Sequence, residues 1–194
     1  MIYLSKVARK TGLRPGSAFP FNLALIKKTR SLSFDAPVTF FIGENGSGKS
    51  TVLESLAAAL KLPSLGSQDL ARDDSLAAAR RLAATWRLSQ VKKPRTGFFF
   101  RAEDYFGYMR RLGTEMRALQ QDELDFEGKF KGYARTLAVG ALRGQRGALE
   151  RRYGADPDAR SHGEGFWHLL QARLHPGGLY LMDEPETPLS PLRQ

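Results

Sequence analysis

The sequence predicts an α/β fold organised around a strand, a glycine-rich loop and a helix. Three observations carry that prediction. The run Val38-Thr39-Phe40-Phe41-Ile42 is β-branched and aromatic and reads as a buried strand. The next residues, Gly43-Glu44-Asn45-Gly46-Ser47-Gly48-Lys49-Ser50-Thr51, have the spacing G-x-x-x-x-G-K-[ST] at Gly43, Gly48, Lys49 and Ser50. From Thr51 to Leu60 the apolar residues then recur at helical spacing. Strand, loop and helix in this order form the setting in which such a loop, a P-loop, cradles nucleotide phosphates.

The residue types explain the chemistry. Gly43, Gly46 and Gly48 let the backbone curl and approach a phosphate without a Cβ clash. Successive N–H groups of Glu44, Asn45, Gly46, Ser47 and Gly48 then form an anion-binding nest at a helix N-terminus. Lys49 is expected to reach the β- and γ-phosphates, Ser50 to ligate Mg²⁺ and Thr51 to add a phosphate contact. ATP and Mg²⁺ are therefore the expected ligands.

Upstream of the loop, residues 1–42 read as short strands and turns. Arg14-Pro15-Gly16-Ser17 and Phe19-Pro20 signal turns, and Leu23-Ala24-Leu25-Ile26 and Leu32-Ser33-Phe34 look like strand pieces. Pro63 and Gly66 close the helix after the loop. Residues 69–90 read as a second helical region on the spacing of Leu70, Ala77, Leu82 and Trp86. A turn over Lys92–Gly97 leads to a compact strand, Gly97–Phe100. Glu103 to Phe126 is helical and amphipathic, with Tyr105, Tyr108, Met109, Leu112, Met116 and Leu119 as core positions. From Gly128 to Gly154 recurrent glycines disfavour a regular helix, so a broken helix or a mobile segment is expected. A helical run, Phe166–Leu174, a turn at His175-Pro176-Gly177-Gly178 and a strand, Leu179–Met182, complete the reading. The whole is read as one domain. It comprises residues 1–60 with the β region and loop helix, 61–160 as a mainly helical insertion, and 161–194 with the last motifs.

That last strand ends in Asp183-Glu184. An apolar strand ending in two carboxylates downstream of a P-loop has the Walker B form. Asp183 would hold Mg²⁺ opposite Ser50. Glu184 would act as the catalytic base, orienting or deprotonating the water that attacks the γ-phosphate.

Gly43–Thr51 together with Asp183-Glu184-Pro185 resembles the ATP-binding-cassette (ABC) class of ATPases. The likeness is to the soluble group that includes RecF and SMC proteins and many AAA-family ATPases, and it covers most of residues 19–194. It implies a P-loop NTPase core of ABC-ATPase type with an N-terminal antiparallel β subdomain and a helical insertion. In this class a segment of the form L-S-G-G-Q precedes Walker B, and Ser161-His162-Gly163-Glu164-Gly165 stands in that place. The resemblance implies that Ser161, Gly163 and Glu164 bind the nucleotide of a second subunit, so that ATP closes a homodimer. Glu186–Pro191 matches the class's D-loop region, which crosses that interface.

Two departures stand out. No glutamine follows the strand Gly97–Phe100, and Glu103 is the substitute expected to ligate Mg²⁺ or water. The class also has a further strand after the D-loop, ending in a switch histidine, whereas His162, His168 and His175 all precede Walker B. Either the gene product is shortened or the sequence is a fragment, and nucleotide binding is expected to exceed hydrolysis. Phe19, Phe21 and Phe34 are candidates for stacking on adenine, with core packing as the competing role.

Composition sets the outer limits. The chain has 194 residues, no cysteine and a formal net charge of +10. Disulfides and thiolate metal sites are excluded. The start lacks the apolar region of a signal peptide, and no apolar run approaches the roughly 20 residues that span a bilayer. A cytoplasmic location without membrane contact is expected. Basic residues between Lys129 and Arg152 point to nucleic acid as a further partner, against the plainer reading of a solvated face. A Mg-dependent ATPase is the first functional expectation, and a non-hydrolysing, nucleotide-dependent binding module, DNA-associated, is the alternative. A transporter subunit would carry a near-standard signature and Q-loop. A small-molecule kinase would not need Asp183-Glu184 behind such a signature.

Overall fold

The computed structural model describes residues 1–12, 16–65, 74–155 and 162–189. They form two compact units. The first holds Met1–Arg101 and His175–Asp183, and the second holds Ala102–Leu174 and the segment after Asp183. The result is a mixed α/β structure compatible with a nucleotide-binding fold.

In the first unit, β1 (Leu4–Arg9) lies between β2 (Ser31–Ser33) and β3 (Trp86–Gln90), antiparallel to both. Strict alternation would place Leu4 and Val7 on opposite faces. The register shifts between Leu4 and Lys6, so both side chains enter the core. The expected antiparallel β region near the N-terminus is present, but two of its predicted pieces differ. Leu23–Ile26 does not form a strand; Ala24–Lys28 is a short helix, α1, that buries Ile26. Trp86 is not helical; the chain turns after α3 (Ala77–Ala83) and pairs with β1 from Trp86 onward. In both places a short apolar run fits helix and strand equally, and pairing with β1 decides.

Beside this sheet stand α2 (Lys49–Leu60) and a parallel pair, β4 (Thr96–Arg101) and β5 (Gly178–Asp183). Helix α2 serves two clusters. Val52 and Leu56 pack with Leu4, Val7, Ile26, Leu82 and Trp86, while Leu53 and Ala57 pack with Leu62, Leu76, Ala79 and Phe99. Between them Ser55 is fully buried yet satisfied. Its hydroxyl donates to Val52 O at 2.7 Å and accepts the Trp86 indole N–H at 3.0 Å. The other edge of β4 meets residues 63–65, where Phe99 N donates to Pro63 O and Leu65 N to Phe99 O. β5 has β4 as its one strand partner among the described residues.

The largest correction concerns residues 38–42. They form no strand, and Val38, Phe40 and Ile42 are 66%, 81% and 94% exposed. A strand exists by pairing, and no described strand lies along this run. Phe41 alone turns inward, against both core clusters.

The second unit consists of α4 (Ala102–Lys129), α5 (Gly132–Tyr153) and α6 (His162–Arg173). Tyr105, Met109, Leu112, Met116 and Leu119 of α4 are buried, as their spacing predicts. α5 is continuous through Gly140, Gly144 and Gly147, although each such glycine costs about 1 kcal/mol relative to alanine. Its support comes from α4. Arg146 Nε lies 2.7 Å from Glu123 Oε1, Arg143 Nε lies 3.4 Å from Glu123 Oε2, and Arg143 also pairs with Glu127. The Arg146 hydrogen bond, opposed by burial, holds the Glu123 carboxyl below its usual range. Its stabilisation is present above the unfolded carboxylate pKa and is lost as pH falls through the lower folded value. Arg173 of α6 joins the three helices, donating to Tyr153 at 3.0 Å and to Tyr108 at 3.3 Å.

Candidate functional site

The loop 43–48 runs into α2 with glycine where glycine is needed. Gly46 (φ 78°) and Gly48 (φ 100°) lie in the left-handed region that other residues avoid. A Cβ on Gly48 would also come within 3.1 Å of Leu23 Cδ1. Ser47 N donates to Glu44 O at 3.2 Å, which folds the loop into a turn, and Asn45 and Gly46 form its tip. The first intrahelical bond is Val52 N to Gly48 O at 3.0 Å. The N–H groups of Lys49, Ser50 and Thr51 therefore have no acceptor within the helix. No side chain caps this end and no acidic residue occupies its first turn. The positive end of the helix dipole is left for an anion.

Lys49 lies back over the loop. Its Nζ donates to Gly43 O at 2.7 Å and to Glu44 O at 2.9 Å, so the cation already sits where the loop would wrap a phosphate. Ser50 Oγ donates to Asp183 Oδ1 at 3.2 Å. These two residues lie far apart in sequence, and α2 and the carboxyl end of β5 bring them together. A hydroxyl and a carboxylate are hard oxygen donors, the kind Mg²⁺ takes, and Mg²⁺ uses few protein ligands and completes its shell with phosphate and water. The donor set fits that ion. Among the described residues no group of three or more His, Cys, Asp or Glu could hold a metal.

Glu184, Glu103, Gly163 and Glu164 fall in the second unit. Glu184 follows Asp183 directly, is exposed and has φ 49°, a strained value for a residue with a side chain. A turn secures it, with Thr187 N donating to Glu184 O at 3.1 Å. Glu103 is exposed in the first turn of α4. Gly163 and Glu164 lie in the first turn of α6, which begins at His162 rather than at Phe166. Ser161 lies outside the described residues, as do Arg14, Pro15 and Gly66. At the end of the predicted segment, Gly165 is tightly placed, since a Cβ there would stand 2.6 Å from the Tyr105 hydroxyl. Burial pushes the Tyr105 phenol up to about 12. Phe21 and Phe34 pack against the first core cluster, and Phe19 is 49% exposed.

Sequence reasoning missed one pair at the loop helix. Arg101, the last residue of β4, lies 3.6 Å from Glu54 of α2. An arginine directly after an apolar strand, together with an acid one turn beyond Ser50, was the available signal. In the basic stretch, Arg143 and Arg146 face carboxylates of the helical unit rather than forming an open cationic surface. Among the described residues, no helix is long and apolar enough to cross a membrane.

No curated protein and no solved structure matches the chain. Residues 21–91, which contain the loop, Lys49 and Ser50, match the family model of an AAA domain, and that match supports an AAA-type ATPase family with nucleotide binding.

Proposed function

We propose that this chain binds Mg-ATP at residues 43–51 and hydrolyses it as an ABC-type ATPase whose two copies close on the nucleotide. The observation that carries the reading is the approach of Ser50 Oγ to Asp183 Oδ1 at the amino end of a helix without an acidic first turn. The loop N–H groups and Lys49 receive the phosphates, with Lys49 exchanging its bonds to Gly43 O and Glu44 O for phosphate oxygens. Bound Mg²⁺ would supply charge neutralisation on the phosphate oxygens, with Ser50 and Asp183 as its protein ligands and Glu103 as a further ligand directly or through water. Glu184 orients the attacking water and takes its proton. Ser161, Gly163 and Glu164 contact the γ-phosphate of the nucleotide on the other copy.

A second reading is favoured by one observation. The exposed side chains of Val38, Phe40 and Ile42 and the edge of β5 away from β4 fit a site whose wall takes a further strand. In that reading, the chain is a nucleotide-dependent binding module that does not turn ATP over. The basic stretch leaves nucleic acid as a partner of either form.

Lys49→Ala is expected to abolish ATP affinity. Glu184→Gln is expected to keep binding, stop turnover and trap the dimer. Turnover and solution mass, with and without Mg-ATP, check both. Tight ATP binding by the alanine variant would sink the loop assignment. Unchanged turnover in the glutamine variant would remove Glu184 from its role, and binding without turnover in every form would select the second reading.

A further inference from the structure

Ser50 and Glu54 stand one turn apart on α2 and share a face. That face meets the carboxyl ends of both parallel strands. Ser50 Oγ is 3.2 Å from Asp183 Oδ1 of β5, and Glu54 Oε1 is 3.6 Å from Arg101 Nη1 of β4. Asp183 and Arg101 are register partners on the two strands, so their side chains leave the same side of the sheet. Two residues in, on the same side of the sheet, Phe99 and Leu181 pack with Leu53 and Ala57 of the helix. Helix and strands are thus joined by an apolar layer and, above it, by two polar links.

The two links differ in kind. The bond from Ser50 to Asp183 joins the two proposed metal ligands, so it must open when a cation takes both oxygens. The bond from Glu54 to Arg101 joins groups that hold no ligand, and their side chains are only 19% and 7% exposed. A pair so enclosed adds little net stability over an apolar one, but it ties the helix to the strand end at one defined place, and replacing either member removes that tie. Its planar guanidinium offers a directional contact that a lysine would not.

We propose that Arg101 and Glu54 are positioning residues for the metal site. They hold α2 against the strand ends while the link between Ser50 and Asp183 opens, so that the two ligands stay within reach of one cation. The inference rests on the Mg-ATP reading above and assigns the pair no contact with nucleotide.

The test is ATP affinity of the full chain, measured by calorimetry with Mg²⁺ and again with excess chelator. It compares the wild type with Glu54→Gln, Arg101→Met and Arg101→Lys, each checked for native circular dichroism. The expected result is a loss of about tenfold or more in the Mg²⁺ enhancement of affinity for Glu54→Gln and Arg101→Met, the size seen when outer partners of metal ligands are removed. Affinity without Mg²⁺ is expected to stay within about twofold of wild type, and Arg101→Lys to recover part of the enhancement. Glu54→Gln keeps the side chain's shape and decides the matter where Arg101→Met does not fold. Full Mg²⁺ enhancement in folded Glu54→Gln overturns the positioning role, as does an equal loss with and without Mg²⁺. A wild-type chain whose ATP binding does not respond to Mg²⁺ overturns the underlying reading instead.

Discussion

Two apolar runs lead into the proposed nucleotide site, and they have opposite fates. Leu179–Met182 becomes the body of β5 and delivers Asp183, because β4 lies along it in register from Thr96↔Gly178 to Arg101↔Asp183. Val38–Ile42 delivers Gly43 with an equally strand-like sequence, yet it forms no strand and exposes every residue but Phe41. Phe41 and Leu181 nevertheless reach the same two core clusters. The difference teaches that a β-branched run carries only the capacity for a strand. The partner edge is what converts it.

The sharpest way to break the contrast is to take the partner from β5. A Cβ on Gly97 would lie 2.3 Å from Leu179 O and 3.0 Å from Leu62 Cδ2. Gly97→Ala is therefore expected to destabilise by about 3 kcal/mol, the upper end for overpacking, and to strip hydrogen-exchange protection from residues 179–182. Retained protection there would show that β5 does not depend on its neighbour. A smaller effect, about 2 kcal/mol in denaturant unfolding, is expected for Leu181→Ala, since Leu181 is only half-buried between the clusters. Smallest of all are Val38→Thr and Ile42→Thr. Exposed as they are, each should change stability by no more than about 0.5 kcal/mol. A cost several times larger for either would mean that this run is covered in solution, and the contrast with β5 would collapse.

Much of this was legible beforehand, for local reasons. The loop helix, β4, β5 and α4 rest on contiguous patterns bounded by turn residues, so sequence neighbours decide them. The approach of Ser50 to Asp183 was legible because the loop and the apolar strand set one at the start of a helix and the other at the end of a strand. Three features were not. α1 and β3 depend on what pairs with β1. The unbroken course of α5 depends on Glu123 and Glu127, which belong to another helix and offset the glycines. Arg101 merely follows the strand Gly97–Phe100 in the sequence, and only the fold brings Glu54 against it. In each case the deciding partner is remote in sequence, where periodicity carries no information.

β4 and β5 run parallel as neighbours, so no tight turn can join them. The chain must leave one at its carboxyl end and re-enter the other at its amino end, a passage for which about a dozen residues suffice. Residues 102–174 occupy that passage. The return point is clasped, with the Tyr180 hydroxyl bonded to both His175 N at 2.8 Å and His175 O at 2.9 Å. The crossover is therefore a cartridge slot. Its length is not fixed by the pairing of β4 with β5, so residues 102–174 can lengthen or shorten while Arg101 and His175 keep their places.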